Sequence, residues 1–414
     1  MAIAGVVTGS LVASMGLGAI SMEAGAATSG GKKPLYILAD VDLSGTFGHY
    51  GQVDLQGLKA QVKIINQKGG VNGRKLVIKS LDNQSDPATA VIVAKDLLSS
   101  VPKTTVLFMF PGAVGVTALA ILPVVSKTKV LNITPSATSQ TENFSAFPYT
   151  FIAYPDEEQQ APPQVAGLKQ LAGNSKKAAL IVGTDSGDQA NIAPLEAEMK
   201  KAGLTLTVET VSLTAKDYTA QLQQAKQSGA KALYVKIDNP ASYVTVMQGV
   251  QQLGWTTVKV LAGPTAANAA VLNVIPTAVQ KQFYALGQRV YLQGFGKNTK
   301  TFQARYKALA SFGTVTDIGI SSDIADDVNM AVWAYKTAGG NTQAKKKAAL
   351  NNLGKKTFPK GTLLVLPQPH YTKVYQTLHN ADFSTFWGLL RAGTPVTGQW
   401  QGMPLQLTTS KSKS

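Results

Sequence analysis

Cysteine is absent from this chain of 414 residues, which has three histidines and four arginines. Without cysteine the chain forms no disulfide, offers no thiol nucleophile or thiolate metal ligand, and cannot carry a lipid on an N-terminal cysteine. Three histidines provide few candidate ligands for a metal site and few candidate bases for a histidine-based catalytic set. We therefore expect no lipid attached through cysteine and no metal.

Motifs for catalysis are also missing. The segment 183–187 is one position away from the Gly-x-Ser-x-Gly turn of hydrolases. The segment 294–297 lacks the glycine spacing of a phosphate-binding loop. We therefore expect a protein that is not an enzyme and that uses no cofactor, and an exported enzyme is the weakest of the alternatives.

Positive charge is abundant, since 39 basic residues outnumber 23 acidic ones and give a net charge of +16. The lysines are scattered and arginines are few, unlike the clustered basic and aromatic faces of nucleic-acid readers. We interpret the charge as a solvated cationic surface, with attraction to an anionic membrane or ligand as the alternative. We expect a monomer with no nucleic-acid partner.

The N-terminal segment is uncharged over residues 3–22 and is followed by small residues. This pattern predicts a secretory signal peptide over residues 1–27 and an exported protein in the periplasm or another extracytoplasmic space. No basic residue precedes the apolar run, and an uncleaved membrane anchor is the alternative.

From residue 35 onward, short runs rich in Val, Ile and Leu alternate with segments of helical periodicity. This alternation predicts parallel sheets with helices on both faces. It pauses at the proline-containing segment 148–163 and then restarts. The predicted fold class is therefore α/β, with two doubly wound parallel-sheet lobes.

Six loops that follow predicted strands are rich in Gly, Ser, Thr, Asp or Asn and lead into predicted helices. Ligands of open parallel sheets bind beyond the carboxyl ends of the strands, and helix N-termini there hold anions well. Each loop alone is more typical of an ordinary turn or N-cap. Their equivalent positions in two lobes favour a ligand site between the lobes.

Four segments carry a family resemblance: Asp-Leu-Ser-Gly through Tyr-Gly at 42–51, Ile-Asn-Gln-Lys-Gly-Gly-Val-Asn-Gly-Arg-Lys-Leu at 65–76, Asp-Asn-Gln-Ser-Asp-Pro at 82–87, and Ile-Thr-Pro-Ser-Ala-Thr at 133–138. In order and spacing they resemble the branched-chain amino-acid (Leu/Ile/Val) substrate-binding proteins of ABC transporters, which have the type I periplasmic-binding fold. The agreement is specific over residues 35–140, looser over 178–290, and mainly architectural beyond 290.

The resemblance implies a clamshell whose lobes are joined by a three-segment hinge, which we expect near residues 153–155, 286–288 and 359–361. The implied divisions are 1–27 signal peptide, 34–153 and 287–360 N-terminal lobe, 154–286 and 361–405 C-terminal lobe, and 406–414 disordered tail.

The resemblance also implies that the Ser136–Thr138 loop holds a ligand carboxylate through N–H groups and a hydroxyl. The acid that usually binds an ammonium group falls near Thr265, and Asp238 is a candidate replacement, although an N-cap or turn explains Asp238 equally well. The expected ligand-binding residues are Ser44, Tyr50, Pro111, Gly112, Ser136, Ala137, Thr138, Ser186, Asp238 and Thr265.

The function implied is capture of a small polar ligand (an amino acid, an amide or a small carboxylate) and its delivery to a membrane ABC permease. A clamshell module that senses the ligand for a signalling receptor is the alternative, because one fold serves both.

Overall fold

The computed structural model describes residues 32–136, 138, 140–353, 358–371, 376–378, 381–383, 386–396, 398–405 and 407. The predicted signal peptide, Ala137 and, apart from residue 407, the predicted tail 406–414 lie outside the described residues. Among the described helices, none combines the length and the apolar character needed to cross a bilayer.

The first lobe is built on a five-stranded parallel sheet in the order β2-β1-β3-β4-β5. Its strands and the helices between them are β1 (Leu35–Val41), α1 (Gly48–Gln67), β2 (Leu76–Asp82), α2 (Pro87–Ser99), β3 (Val106–Phe110), α3 (Gly115–Thr128), β4 (Asn132–Thr134) and β5 (Thr150–Ile152). Every residue of β3 is buried. A strand buried on both faces needs apolar side chains throughout, which is why β3 reads as one continuous apolar run.

The second lobe begins with α4 (Glu157–Ala172), β6 (Lys177–Gly183), α5 (Ser186–Gln189), α6 (Ile192–Lys201), β7 (Thr205–Val211), α7 (Thr219–Gln227), β8 (Ala232–Lys236), α8 (Pro240–Gln252), β9 (Lys259–Ala262), α9 (Ala269–Leu272) and β10 (Phe283–Gln288). Its sheet has the order β7-β6-β8-β9-β10 and repeats the winding of the first lobe. The doubly wound α/β fold is therefore confirmed in both lobes.

After β10 the chain returns to the first lobe and forms α10 (Lys300–Ala310), α11 (Ile318–Thr337) and α12 (Gln343–Asn351). Helices α10 and α11 pack against α1. The chain ends in the second lobe with β11 (Trp387–Arg391) and β12 (Gly402–Pro404). These two strands are antiparallel and extend the second sheet beyond β10.

The third crossing differs from our expectation of residues 359–361. Leu366, Tyr371 and Leu378 still pack in the core of the first lobe. The hydroxyl of Tyr371 donates to the carbonyl of Ile152 at 2.8 Å, and Ile152 N–H donates to the carbonyl of Gln376 at 2.8 Å. Because these bonds add the segment to the edge of β5, the chain joins the second sheet only with β11.

Candidate functional site

A cavity of about 280 Å³ lies between the two lobes. It opens at the carboxyl ends of both sheets, where the strand order reverses between β1 and β3 and between β6 and β8. Its first-lobe wall comprises Phe47, Tyr50, Ala113, Val114, Gly115, Val116, Leu119, Pro135, Ser136, Thr138, Gln140 and Ile320. The second lobe and the crossing segments supply Tyr154, Glu157, Gln160, Asp185, Ser186, Gly187, Ala190, Asn191, Lys236, Asp238, Pro264, Thr265 and Tyr291, and α11 of the first lobe also supplies Asp323.

The first-lobe wall presents the N-terminus of α3. Val114 precedes the helix without a side-chain cap, and the first turn contains no acidic residue. The first N–H groups of a helix have no partner within it and carry partial positive charge. Ser136 lies beside this turn, because a Cβ atom on Gly115 would be 3.7 Å from Ser136 Oγ.

Internal hydrogen bonds hold the loop after β4. Ser136 N–H donates to Thr134 Oγ1 and Thr138 N–H donates to Thr141 Oγ1, both at 3.0 Å. The N–H groups of Ser136 and Thr138, which the resemblance implies as carboxylate donors, are therefore already used. Ser136 Oγ is buried without a partner and remains available as a donor.

At the second-lobe wall, Lys236 lies among Asp185 and Asp238, which line the cavity, and Asp188, which is buried behind them. Lys236 Nζ lies 2.8 Å from Asp188 Oδ1 and 2.5 Å from Asp238 Oδ1. Asp185 Oδ1 accepts from the N–H groups of Gly187 and Asp188 at 2.9 and 3.0 Å and so caps the short helix α5. Lys236 ends β8 and Asp238 follows it, so the strand itself places both charges at the mouth of the sheet.

The charge state of Lys236 follows from these neighbours. Burial alone would lower the pKa of Lys236, but Asp188 and Asp238 outweigh that effect and hold the pKa well above its usual value. The carboxylates of Asp185, Asp188 and Asp238 lie within 4.8 Å of one another, a spacing that suits a metal ion. The Lys236 ammonium already lies against two of them, so the cluster carries its own cation.

Several buried polar atoms on the cavity wall have no hydrogen-bond partner: Tyr50 hydroxyl, Asp185 Oδ2, the Asn191 amide and Asp323 Oδ1. Buried polar atoms are usually paired, because leaving one unpaired costs about 1–3 kcal/mol. Burial, reinforced by Asp238, holds the pKa of Tyr50 well above its usual value. The Tyr50 hydroxyl is therefore neutral and can donate a hydrogen bond. The unpaired polar atoms of the wall suit a polar ligand.

The second crossing segment is bonded to α11 of the first lobe. Gln288 Nε2 donates to Asp323 Oδ2, and the hydroxyl of Tyr291 donates to Asp317 Oδ1 at 2.5 Å. Gly319 permits this contact, since a Cβ atom there would collide with the Tyr291 ring. One face of the cavity is thus formed by the second crossing segment together with α11.

The structure brings six of the predicted site residues to this one cavity: Tyr50, Ser136, Thr138, Ser186, Asp238 and Thr265. Ser44 lies elsewhere, because its hydroxyl donates to Asp82 Oδ2 at 2.6 Å. Pro111 and Gly112 are not among the lining residues. In the loop after β3, the first residue that lines the cavity is Ala113. Gly112 instead approaches the buried carboxylates of Asp42 and Asp54. Ala137 lies outside the described residues.

Sequence reasoning missed Asp185, Asn191, Lys236 and Asp323. Asp185 directly precedes the predicted Ser186 and belongs to one of the six loops that follow predicted strands. Lys236 carried a usable signal, since a lysine at the end of a buried apolar strand requires a carboxylate nearby. Asp323 is on a helix that follows the second crossing, and only the three-dimensional structure brings it to the cavity.

A family model described as periplasmic binding protein matches residues 35–370. A Leu/Ile/Val-binding protein homolog from Brucella melitensis is 27% identical over 228 residues, which cover 53% of this chain and 60% of the relative. The match thus spans under two thirds of that relative.

Two solved structures are similar in fold. A solute-binding protein of an ABC transporter from Rhodopseudomonas palustris, in complex with 4-hydroxybenzoate, has a TM-score of 0.70 and 16% identity, covering 91% of this chain and 96% of that one. A leucine-binding protein from Thermotoga maritima has a TM-score of 0.72 and 14% identity, covering 90% and 99%.

These similarities confirm the resemblance to the branched-chain amino-acid binding proteins, and the family indicates an extracytoplasmic location. The structural neighbours are solute-binding proteins, and a cavity between two lobes is the site expected of them. The chain belongs to the periplasmic binding protein family.

Proposed function

We propose that this protein captures a small polar solute, an amino acid or a related amide or carboxylate, between its lobes and delivers it to an ABC permease. The observation that carries the proposal is the inter-lobe cavity, whose first-lobe wall offers donors and whose second-lobe wall is acidic. A solute that carries both an anionic and a hydrogen-bond-donating group is complementary to both walls.

The first-lobe wall suits a carboxylate. The first turn of α3 has free N–H groups and no acidic side chain, and Ser136 Oγ adds a donor from a buried position. An anion at a helix N-terminus gains from both the N–H groups and the helix dipole. Thr138 also lines this wall.

The second-lobe wall suits a donor group. Burial alone would raise the pKa of Asp185, but hydrogen bonds from Asp188 and the charge of Lys236 bring it below its usual value. Asp185 is therefore ionised, and its Oδ2 is buried without a partner. An amine or amide N–H of the solute would satisfy that oxygen.

The named ligands of similar proteins fit this range. The Brucella relative is named for leucine, isoleucine and valine, and the Rhodopseudomonas protein was solved with 4-hydroxybenzoate. Both kinds of ligand carry a carboxylate on an apolar body. The cavity wall likewise combines apolar and polar groups, since Phe47, Val116 and Leu119 line it together with the polar side chains.

Isothermal titration against a panel of amino acids, amides and small carboxylates tests the proposal. We expect at least one tight binder, and Ser136→Ala should weaken its binding about tenfold, because a hydrogen bond to a charged group contributes roughly 1.5–3 kcal/mol.

Ser126→Ala is the matched control. Ser126 Oγ is also buried without a partner, but Ser126 is near the end of α3 and does not line the cavity. Equal losses in both variants, or no binding anywhere in the panel, would argue against the proposed function.

A further inference from the structure

A second cavity, of about 570 Å³, lies within the first lobe. It is bounded by α1, α10, α11 and the described residues 359–362. Its lining residues are Gln61, Ile64, Ile65, Lys68, Gly70, Lys300, Thr301, Ala304, Arg305, Asn329, Val332, Trp333, Lys336, Pro359, Gly361 and Thr362. None of these residues lines the inter-lobe cavity.

The charge of this second cavity is opposite to that of the first. Lys68, Lys300, Lys336 and Arg305 contribute four cations to its described lining, which contains no carboxylate. The three lysines are exposed at its rim, and none of them forms an ion pair among the described residues. Positive charges that converge on a concave surface raise the local concentration of anions.

A buried donor inside the cavity has no partner. Arg305 is 2% exposed, and its guanidinium donates to the carbonyl of Ser322 at 2.9 Å and to Asp326 Oδ1 at 3.0 Å. Its Nε–H remains unpaired. Arginine carries five N–H donors, and an unpaired one in a buried position leaves a desolvated donor that an acceptor would satisfy. Gln61 Oε1 is also unpaired and accepts from a hydroxyl or from water.

Part of the remaining wall is apolar, although Thr301, Asn329 and Thr362 also line it. Ile64, Ile65 and Val332 contribute side chains between the helices, and Trp333 presents an aromatic surface. A fully inorganic anion would leave this apolar surface without a contact. An anion with a hydrocarbon body would bury it, at about 25 cal/mol for each Å² removed from water.

We propose that this cavity is a second binding site, which takes an organic anion with an apolar body, its anionic head on Arg305 and the rim lysines and its body against Trp333. A free medium-chain carboxylate and the anionic part of a membrane lipid share this chemistry. The site is separate from the inter-lobe cavity, so the proposed transport function stands or falls independently of it.

Isothermal titration of the full chain with octanoate tests the site. We expect saturable binding at millimolar octanoate or below. Lys300→Gln combined with Lys336→Gln should weaken that binding about tenfold, because each partly exposed charge contributes up to about 1 kcal/mol. Ala304→Trp places an indole in the mouth of the cavity and should abolish binding.

Two variants on the same helix are the controls. Lys307 and Ala310 are exposed on α10 and do not line the cavity, so Lys307→Gln and Ala310→Trp should bind octanoate like the unaltered chain. Sedimentation with phosphatidylglycerol vesicles, compared with phosphatidylcholine, distinguishes a lipid source from a free anion. No octanoate binding, or binding that Ala304→Trp leaves intact, overturns the proposal.

Discussion

Lys236 is the residue on which the acidic wall of the inter-lobe cavity depends. It is 9% exposed and is held between Asp188 and Asp238. Burying a carboxylate such as Asp188 is costly unless a cation and hydrogen bonds compensate it. The Lys236 ammonium supplies that compensation, and so it allows Asp188 and Asp238 to lie close together at the second-lobe wall.

Lys236→Met should therefore lower the free energy of unfolding by roughly 3 kcal/mol, because it leaves Asp188 buried without its cation. Urea unfolding followed by circular dichroism measures the change. Lys201→Gln removes the exposed pair with Glu198 and should cost less than about 0.5 kcal/mol. Similar losses in the two variants would contradict the role given to Lys236.

Asp40 at the end of β1 predicts a pH dependence. Burial raises the pKa of Asp40 from 3.8 to about 8, with smaller contributions from Asp42 and Asp82, although Asn83 donates to it. Between these two values the unfolded chain binds fewer protons than the folded one, so this group makes folding less stable as pH rises, up to about pH 8. Burial lowers the pKa of His49 to about 4, which acts in the opposite direction below about pH 6.5.

Other buried carboxyl groups act in the same direction, among them Glu142, whose pKa burial raises to about 9. The effect of Asp40 is therefore measured as a difference between Asp40→Asn and the unaltered chain, between about pH 6.5 and pH 8, above the range in which His49 acts. In that window Asp40→Asn should flatten the decline in unfolding free energy by up to about 1.4 kcal/mol per pH unit. Urea midpoints at several pH values measure the slope. A slope that is unchanged in Asp40→Asn would show that Asp40 does not titrate there.

Among the elements, α1 and α11 set the geometry of the first lobe. A Cβ atom on Gly57 of α1 would lie 2.5 Å from the carbonyl oxygen of Ser321 in α11. The two helices thus approach closely at this glycine, and the approach places the start of α11, with Asp317 and Asp323, next to the second crossing.

Gly57→Ala should destabilise the protein by roughly 1–3 kcal/mol, because the backbone of α11 must move to admit the methyl group. Gly48→Ala, in the first turn of the same helix, meets its nearest atom at 3.2 Å and should cost less. Thermal unfolding of both variants measures the difference. A larger loss for Gly48→Ala than for Gly57→Ala would contradict this packing.

The regular elements were predictable, because buried parallel strands and amphipathic helices leave strong periodic signals. The third crossing was not. The segment around Tyr371 has no regular periodicity, and its place is decided by the bond from the Tyr371 hydroxyl to Ile152. In the same way, the loop that contains Ser44 has the composition of a ligand-binding loop. The Ser44 hydroxyl instead donates a hydrogen bond to Asp82, which is 38 residues away.

For the whole molecule, we propose that the solute binds between the lobes and that the lobes close on it. Helix α3 of the first lobe and α5 of the second contact each other across the cavity. A ligand that touches both walls favours the closed arrangement by the difference in its affinity for the two states. Rotation about the crossing segments then changes the distance between the lobes.

The absence of cysteine makes a direct measurement possible. Spin labels on Lys95→Cys of α2 and Gln251→Cys of α8, both exposed, report the distance between the lobes by double electron–electron resonance. The tightest solute of the panel should shorten and narrow the distance distribution, and Ser136→Ala should shift this change to higher solute concentration. A saturating solute that leaves the distribution unchanged would contradict binding between the lobes.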